Sequence, residues 1–133
     1  MTFKNLQIDP RCLRILEKQQ ILTPTPIQEQ AIPAALEGRD LVAIAQTGTG
    51  KTLAFGLPAL SLLAKTTPRG QTGMLVLAPT RELAVQVHDV LAPLARAVKL
   101  STACVYGGVG MFPQAKALRS GASIVVATPG RLL

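Results

Sequence analysis

The sequence predicts an α/β fold with a mostly parallel sheet. Two observations favour this class. Short apolar runs alternate with longer amphipathic segments along most of the chain. A Gly-rich segment that ends in Lys-Thr, AQTGTGKT, lies where a predicted strand meets a predicted helix. Strands that alternate with helices pair in parallel, because each helix returns the chain to the edge where the previous strand began.

The first predicted elements are two short helices. Pro10 suits a first helical turn, and Leu13 and Leu16 recur at helical spacing within the segment from Asp9 to Gln20. A proline-rich stretch then begins a second helix, which is expected to end near Gly38.

The remainder of the chain predicts four buried strands with helices between them. The strands are expected at Leu41 to Ala45, Met74 to Ala78, Ser101 to Tyr106 and Ser123 to Ala127. The helices are expected at Lys51 to Ala64, Arg81 to Ala97 and Met111 to Ser120. A polar run from Lys65 to Gly73 predicts a surface loop.

Composition limits the function only loosely. Fourteen Lys and Arg against seven Asp and Glu give a net charge of +7, which favours association with a polyanion. The basic residues are scattered, so charge alone does not separate a nucleic-acid binder from an ordinary basic domain. Cys12 and Cys104 lack zinc-site spacing, and His88, which has no cysteine or carboxylate at metal-ligand spacing, is interpreted as a surface residue. Reduced thiols and the lack of a signal peptide or membrane-length apolar run favour a cytoplasmic protein.

The segment from Ala45 to Thr52 carries the strongest motif. Glycines let the backbone wrap around phosphate oxygens, and the start of the next helix offers N–H groups to the same anion. Lys51 adds positive charge, and the Thr52 hydroxyl is placed to bind Mg²⁺, so both are also catalytic candidates. The predicted nucleotide contacts are Thr47, Gly48, Thr49, Gly50, Lys51 and Thr52. This motif alone leaves kinase, transporter, GTPase and helicase open.

Five motifs in order resemble those of the DEAD-box RNA helicases, and the resemblance covers nearly all of the chain. PTPIQ at 24–28 resembles the Q motif, and the phosphate loop has that family's form with alanine in front. APTRELA at 78–84 resembles motif Ia, Gly107-Gly108 the GG doublet, and TPGR at 128–131 motif Ib. The resemblance implies a P-loop, RecA-like three-layer fold and an ATP-dependent enzyme that remodels or unwinds short RNA duplexes, with ATP and Mg²⁺ as ligands.

The resemblance also implies an adenine pocket near the N-terminus. The Gln28 amide suits the N6 and N7 edge of adenine and would select ATP over GTP. Phe3 stands where the family has an isolated upstream aromatic residue. The family often has glycine and an aromatic before the Q motif, but here those positions are Gln20 and Ile21, so adenine would rest on an aliphatic side chain. From the residues alone, Gln28 also fits a solvent-facing glutamine at a helix start, and Phe3 a core residue.

The other three motifs follow predicted strands and should line one edge of the sheet. Their hydroxyls, glycine N–H groups and arginines suit phosphate contacts that do not read base identity. The predicted RNA contacts are Pro79, Thr80, Arg81, Gly107, Gly108, Thr128, Pro129, Gly130 and Arg131. The alternative is that these are strand-exit turns with helix caps. Three Phe, one Tyr and no Trp leave little capacity for base stacking, so backbone contacts should dominate.

The D-E-A-D and S-A-T motifs of the family do not occur before Leu133. We therefore expect an N-terminal fragment whose sheet is truncated before its later strands and which does not hydrolyse ATP alone. Residues 1–30 are expected to form a Q-motif region, and residues 31–133 an incomplete RecA-like domain. The expected partners are RNA, the C-terminal RecA-like domain of the parent chain and a second truncated sheet, but no membrane. The alternative is a stand-alone nucleotide- and RNA-binding module without turnover.

Overall fold

The computed structural model describes residues 2–48, 50–66, 70–107, 111–119 and 121–132. The predicted site residues Thr49 and Gly108 lie outside these ranges. The chain divides into two compact units, unit 1 at Met1–Lys65 and unit 2 at Thr66–Leu133.

The described part of unit 1 is helical. It contains a 3-10 helix at Phe3–Leu6, followed by α1 (Pro10–Lys18), α2 (Pro26–Leu36) and α3 (Lys51–Thr66), which extends one residue past the unit boundary. Asp9 caps α1, because its carboxylate accepts from the Arg11 N–H at 2.9 Å. The buried Ser61 hydroxyl joins this cap to α3: it accepts from the Asp9 N–H at 2.9 Å and donates to the Leu57 carbonyl at 2.8 Å.

The segment from Leu41 to Ala45 is not a strand, so that prediction is wrong. It has no regular secondary structure, and Val42 and Ile44 are 93% and 89% exposed. A strand needs a neighbour for its backbone hydrogen bonds, and the described residues of unit 1 include no other strand. An apolar run indicates that a segment favours a β-strand, but the strand forms only if a neighbouring strand is present to accept its hydrogen bonds.

Unit 2 is a three-stranded parallel sheet with helices between its strands. Its elements are β1 (Met74–Leu77), α4 (Arg81–Ala97), β2 (Thr102–Val105), α5 (Met111–Arg119), β3 (Ile124–Ala127) and α6 (Pro129–Leu132). The α/β class is confirmed, and the elements from β1 to β3 lie within about two residues of their predicted bounds. The longest helices have 16 and 17 residues, and none in the described part of the chain is long and apolar enough to cross a membrane.

The strand register brings three carboxyl ends to one level. The strand order is β1-β3-β2, and both Leu77 of β1 and Val105 of β2 pair with Ala127 of β3. Backbone hydrogen bonds continue one step further: the Ala78 N–H donates to Ala127 and the Thr128 N–H donates to Val105, both at 2.9 Å. The loops after the three strands therefore leave the sheet at the same edge.

Candidate nucleotide and nucleic-acid sites

The Gly-rich loop of unit 1 ends where α3 begins. Gly48 and Gly50 both have a φ of +85°, a conformation that favours glycine. Thr47 lies in the turn beside Gly48, and the exposed Lys51 and half-buried Thr52 form the first turn of α3. The first N–H groups of a helix have no intrahelical acceptors and carry the positive end of its dipole. Backbone donors, an ammonium group and a hydroxyl therefore lie together at this end of α3.

Gln28 of α2 contacts this loop. Its side chain is buried, with 3% exposed. The Oε1 atom accepts from the Thr25 N–H at 2.9 Å, and Nε2 donates to the Gly50 carbonyl at 3.1 Å. Gln28 therefore does not face solvent. An amide has two donors and two lone pairs, so these two bonds leave one N–H and one lone pair unused.

Thr25 is a candidate that the sequence did not single out within the PTPIQ motif. Its Oγ1 is buried and takes part with Gln28 in a capping box at the start of α2, but it makes no well-formed hydrogen bond to any group in the described part of the chain. This atom would lie 3.3 Å from a Cβ built on Gly50, so it also borders the Gly-rich loop. A buried polar group without a hydrogen bond lowers the stability of the fold by about 1–3 kcal/mol, and such groups in native structures often belong to functional sites.

Phe3 and Ile21 line a different feature of unit 1, a cavity of about 240 Å³. Leu13 and Leu16 contribute to its wall. Phe3 is only 2% exposed, so it is also a core residue. Gln28 is not part of this lining. The structure thus places the predicted adenine contacts in two groups, Phe3 with Ile21 and Gln28 with Gly50.

Seven of the nine predicted RNA contacts line one open depression of about 480 Å³ in unit 2. They are Pro79, Arg81, Gly107, Thr128, Pro129, Gly130 and Arg131. The register of the strands explains this convergence, because the three loops follow strands that end at one level. We call this depression the edge surface.

Thr80 has a different role from its neighbours in the edge surface. Its Oγ1 accepts from the Leu83 N–H at 3.2 Å and so caps α4. The helix-cap alternative therefore applies to Thr80. The cap fixes the start of α4, and with it the backbone at Arg81, at the rim of the edge surface.

Tyr106 and Gln114 connect the parts of the edge surface, and the motifs did not identify either. The Arg81 guanidinium lies over the Tyr106 ring, 5.3 Å from its centroid. Gln114 of α5 donates to the Tyr106 carbonyl at 3.0 Å and accepts from the Tyr106 N–H at 3.2 Å. Its Oε1 also accepts from Arg131 at 3.4 Å. The sequence contains one indication of Tyr106, which is that the only tyrosine of the chain directly precedes Gly107.

Comparisons with known proteins agree with these motifs. A family model described as DEAD/DEAH box helicase matches residues 25–133. The chain is 50% identical to the DEAD-box ATP-dependent RNA helicase CshA of Streptococcus pneumoniae, over 100% of this chain and 25% of that protein. It is 48% identical to DEAD-box ATP-dependent RNA helicase 40 of Arabidopsis thaliana, over 99% of this chain and 12% of that protein. The chain thus spans a quarter or less of these relatives.

One solved structure resembles the fold. It is the crystal structure of a hypothetical ATP-dependent RNA helicase from Sulfolobus tokodaii, with a TM-score of 0.83 and 36% sequence identity. The match covers 94% of this chain and 35% of that chain.

Gly48 and Gly50 form a matched pair that tests the contact between Gln28 and the Gly-rich loop. Both have a φ of +85°, so alanine at either position carries strain of about 1–2 kcal/mol. A Cβ at Gly48 would meet nothing within 4 Å, whereas one at Gly50 would collide with Gln28 Nε2. Gly50→Ala should therefore displace the amide and cost roughly a further 1–3 kcal/mol for the broken buried hydrogen bond. Urea denaturation measures both losses, and equal losses would contradict the contact.

Proposed function

We propose that this chain, which belongs to the DEAD/DEAH box helicase family, binds ATP with Mg²⁺ through unit 1 and the RNA backbone through unit 2, as the N-terminal part of an ATP-dependent RNA helicase. The observation that carries the proposal is the convergence of three separate motifs on the edge surface. The relatives are named as ATP-dependent RNA helicases. A stand-alone binding module without turnover is therefore not favoured.

The proposed triphosphate site is the loop at the start of α3. Open space at Gly48, where an added Cβ would meet nothing within 4 Å, leaves room for phosphate oxygens near the backbone N–H groups. Lys51 is exposed and would offset the phosphate charge. The Thr52 hydroxyl would hold Mg²⁺ together with phosphate oxygens. Magnesium, when bound, neutralises charge that develops on the phosphates.

Gln28 is the proposed adenine-selecting residue. Its remaining N–H can donate to adenine N7, and its remaining lone pair can accept from the N6 amino group. Guanine carries a carbonyl oxygen where adenine carries that amino group, so it would lose the second bond. The hydrogen bond to Gly50 connects the same amide to the phosphate loop. Phe3 and Ile21 are proposed to complete the pocket through the apolar wall of their cavity.

The proposed RNA site is the edge surface. Arg81 and Arg131 supply charged donors. Side chains built on Gly107 and Gly130 would meet nothing within 4 Å, so phosphates can approach the backbone N–H groups there. These groups contact phosphate and sugar, which carry no sequence information. Thr80 is proposed to act by positioning the start of α4.

The proposal also covers the cellular compartment and the protein partners of this chain. The cytoplasm is the proposed compartment, because Cys12 and Cys104 are thiols, which a reducing compartment preserves. A C-terminal RecA-like domain in the full-length protein is the proposed partner for hydrolysis. The exposed Leu75 and Leu77 of the edge strand β1 suit self-association of the isolated sheet.

Gln28→Ala and Lys51→Ala should separate base recognition from phosphate binding in the full-length protein. Lys51→Ala removes a positive charge near the phosphates, so it should weaken Mg²⁺-ATP and Mg²⁺-GTP alike. Gln28→Ala removes both the hydrogen bonds to adenine and the contact with the Gly50 carbonyl, so it should weaken both nucleotides, ATP by about tenfold more than GTP. Isothermal titration calorimetry measures both affinities. An unchanged ratio of ATP to GTP affinity in Gln28→Ala would contradict the role of Gln28.

Arg81→Ala and Arg131→Ala should weaken RNA binding equally for unrelated sequences. Each removes one phosphate contact, so the slope of log affinity against log salt concentration should fall in magnitude by about one. Arg119→Ala is the control, since Arg119 is exposed on α5 and does not line the edge surface. Fluorescence anisotropy over a range of salt concentrations measures the slope. A sequence-selective loss, or a slope equal to that of the control, would show that these arginines do not hold phosphate.

A further inference from the structure

A second cavity of unit 2, of about 360 Å³, adjoins the edge surface and has no part in the proposed function. Helix α4 contributes His88 and Asp89 to its lining, β2 and the residue after it contribute Cys104 and Tyr106, and α5 contributes Pro113 and Gln114. These side chains belong to three elements that are distant in the sequence. We call this cavity the base pocket.

The base pocket shares its boundary with the edge surface. Tyr106 and Gln114 line the pocket, and each contacts an arginine of the edge surface. Arg81 lies over the Tyr106 ring at 5.3 Å, and Arg131 donates to Gln114 Oε1 at 3.4 Å. A strand whose phosphates lie on these two arginines therefore has its nucleotides next to the pocket. In a single strand the bases are unpaired and can turn away from the backbone to reach such a cavity.

The lining suits a flat heterocycle with N–H groups. The half-buried Tyr106 ring and Pro113 provide apolar walls, and unpaired bases stack on aromatic side chains in RNA recognition. The Asp89 carboxylate is 73% exposed at the rim, and an ionised carboxylate only accepts hydrogen bonds. Burial raises the pKa of the Cys104 thiol, so this group stays neutral and does not favour a metal or a covalent reaction.

His88 has a fixed place in this wall. Its side chain is 25% exposed, so it is half-buried and not the surface residue that the sequence suggested. Its Nε2 is hydrogen-bonded to Thr102 Oγ1 at 2.9 Å. Its Nδ1 lies 3.8 Å from Asp89 Oδ1. The hydrogen bond to Thr102 therefore fixes the imidazole ring against β2, next to the Asp89 carboxylate.

We infer that the base pocket receives one unpaired base of an RNA strand held on the edge surface, and that it favours guanine. Guanine presents two adjacent donors, N1–H and the N2 amino group, which match the two oxygens of the Asp89 carboxylate. Uracil presents only N3–H. The inference rests on the proposed RNA binding, to which it adds a base preference at one position of a strand that is otherwise held by its backbone.

A guanosine scan tests the inference. The probes are fluorescein-labelled oligouridine and a series in which one guanosine replaces uridine at each successive position, measured by anisotropy with the full-length protein. At one position guanosine should raise the affinity for RNA by about fivefold. This is the lower end of the range for two hydrogen bonds to one base, because Asp89 is largely exposed to solvent. Inosine at that position lacks the N2 amino group and should lose most of the gain.

Asp89→Ala and Glu82→Ala form the matched pair for this scan. Each removes one exposed carboxylate from α4, but only Asp89 lines the base pocket. Both variants should change the affinity for oligouridine by a similar factor, because each removes one negative charge. Retained oligouridine binding also shows that both variants are folded. Only Asp89→Ala should abolish the guanosine preference.

Each remaining outcome overturns the inference in a distinguishable way. If oligouridine binding depends on Arg81 and Arg131 but the scan is flat, the base pocket is refuted and the proposed RNA binding stands. If a guanosine preference persists in Asp89→Ala, or disappears equally in Glu82→Ala, its source is not the Asp89 carboxylate. If the full-length protein does not bind oligouridine, the proposed function fails together with the inference.

Discussion

Both proposed sites of unit 2 depend on one constraint, which is that its three parallel strands end at the same level. Ala127 of the central strand pairs with Leu77 on one side and Val105 on the other. A slip of one residue in either pairing would turn that strand's side chains to the opposite face and shift its loop along the edge. The edge surface and the base pocket both require the present register. The buried strand β3 is bonded on both sides, so it sets the register for its two neighbours.

In unit 1 a single side chain has a comparable role. Gln28 lies 22 residues before Gly50, and its amide joins the start of α2 to the Gly-rich loop. Under the proposed function the same amide reads the base, so the base site and the phosphate loop share one residue. The buried Thr25 hydroxyl beside it offers a further polar atom for this contact. Discrimination between nucleotides and the conformation of the loop then depend on one set of hydrogen bonds.

Local patterns predicted the regular elements of unit 2 well, because each strand and helix there has its expected neighbour. The same pattern failed at Leu41 to Ala45, where the described residues of unit 1 supply no strand for pairing. Motif spacing identified Arg81, Gly107 and Arg131, and the parallel register brought them together. Tyr106 and Gln114 were missed, because their importance lies in contacts between β2, α4 and α5 that exist only after folding. Thr80 shows that a threonine in such a motif can also be a helix cap, a role that appears only once the Leu83 N–H lies within reach of its hydroxyl oxygen.

Photo-crosslinking with 4-thiouridine-substituted single-stranded RNA, followed by peptide mapping in the full-length protein, tests the central claim most directly. If the carboxyl edge of the sheet holds the RNA, the crosslinks within this chain should concentrate at residues 79–81, 106–107 and 128–131. These positions are far apart in the sequence and adjacent only through the register of the strands. Crosslinks concentrated at residues 99–101 and 121–123, at the amino ends of β2 and β3, would place RNA at the opposite edge and contradict the account.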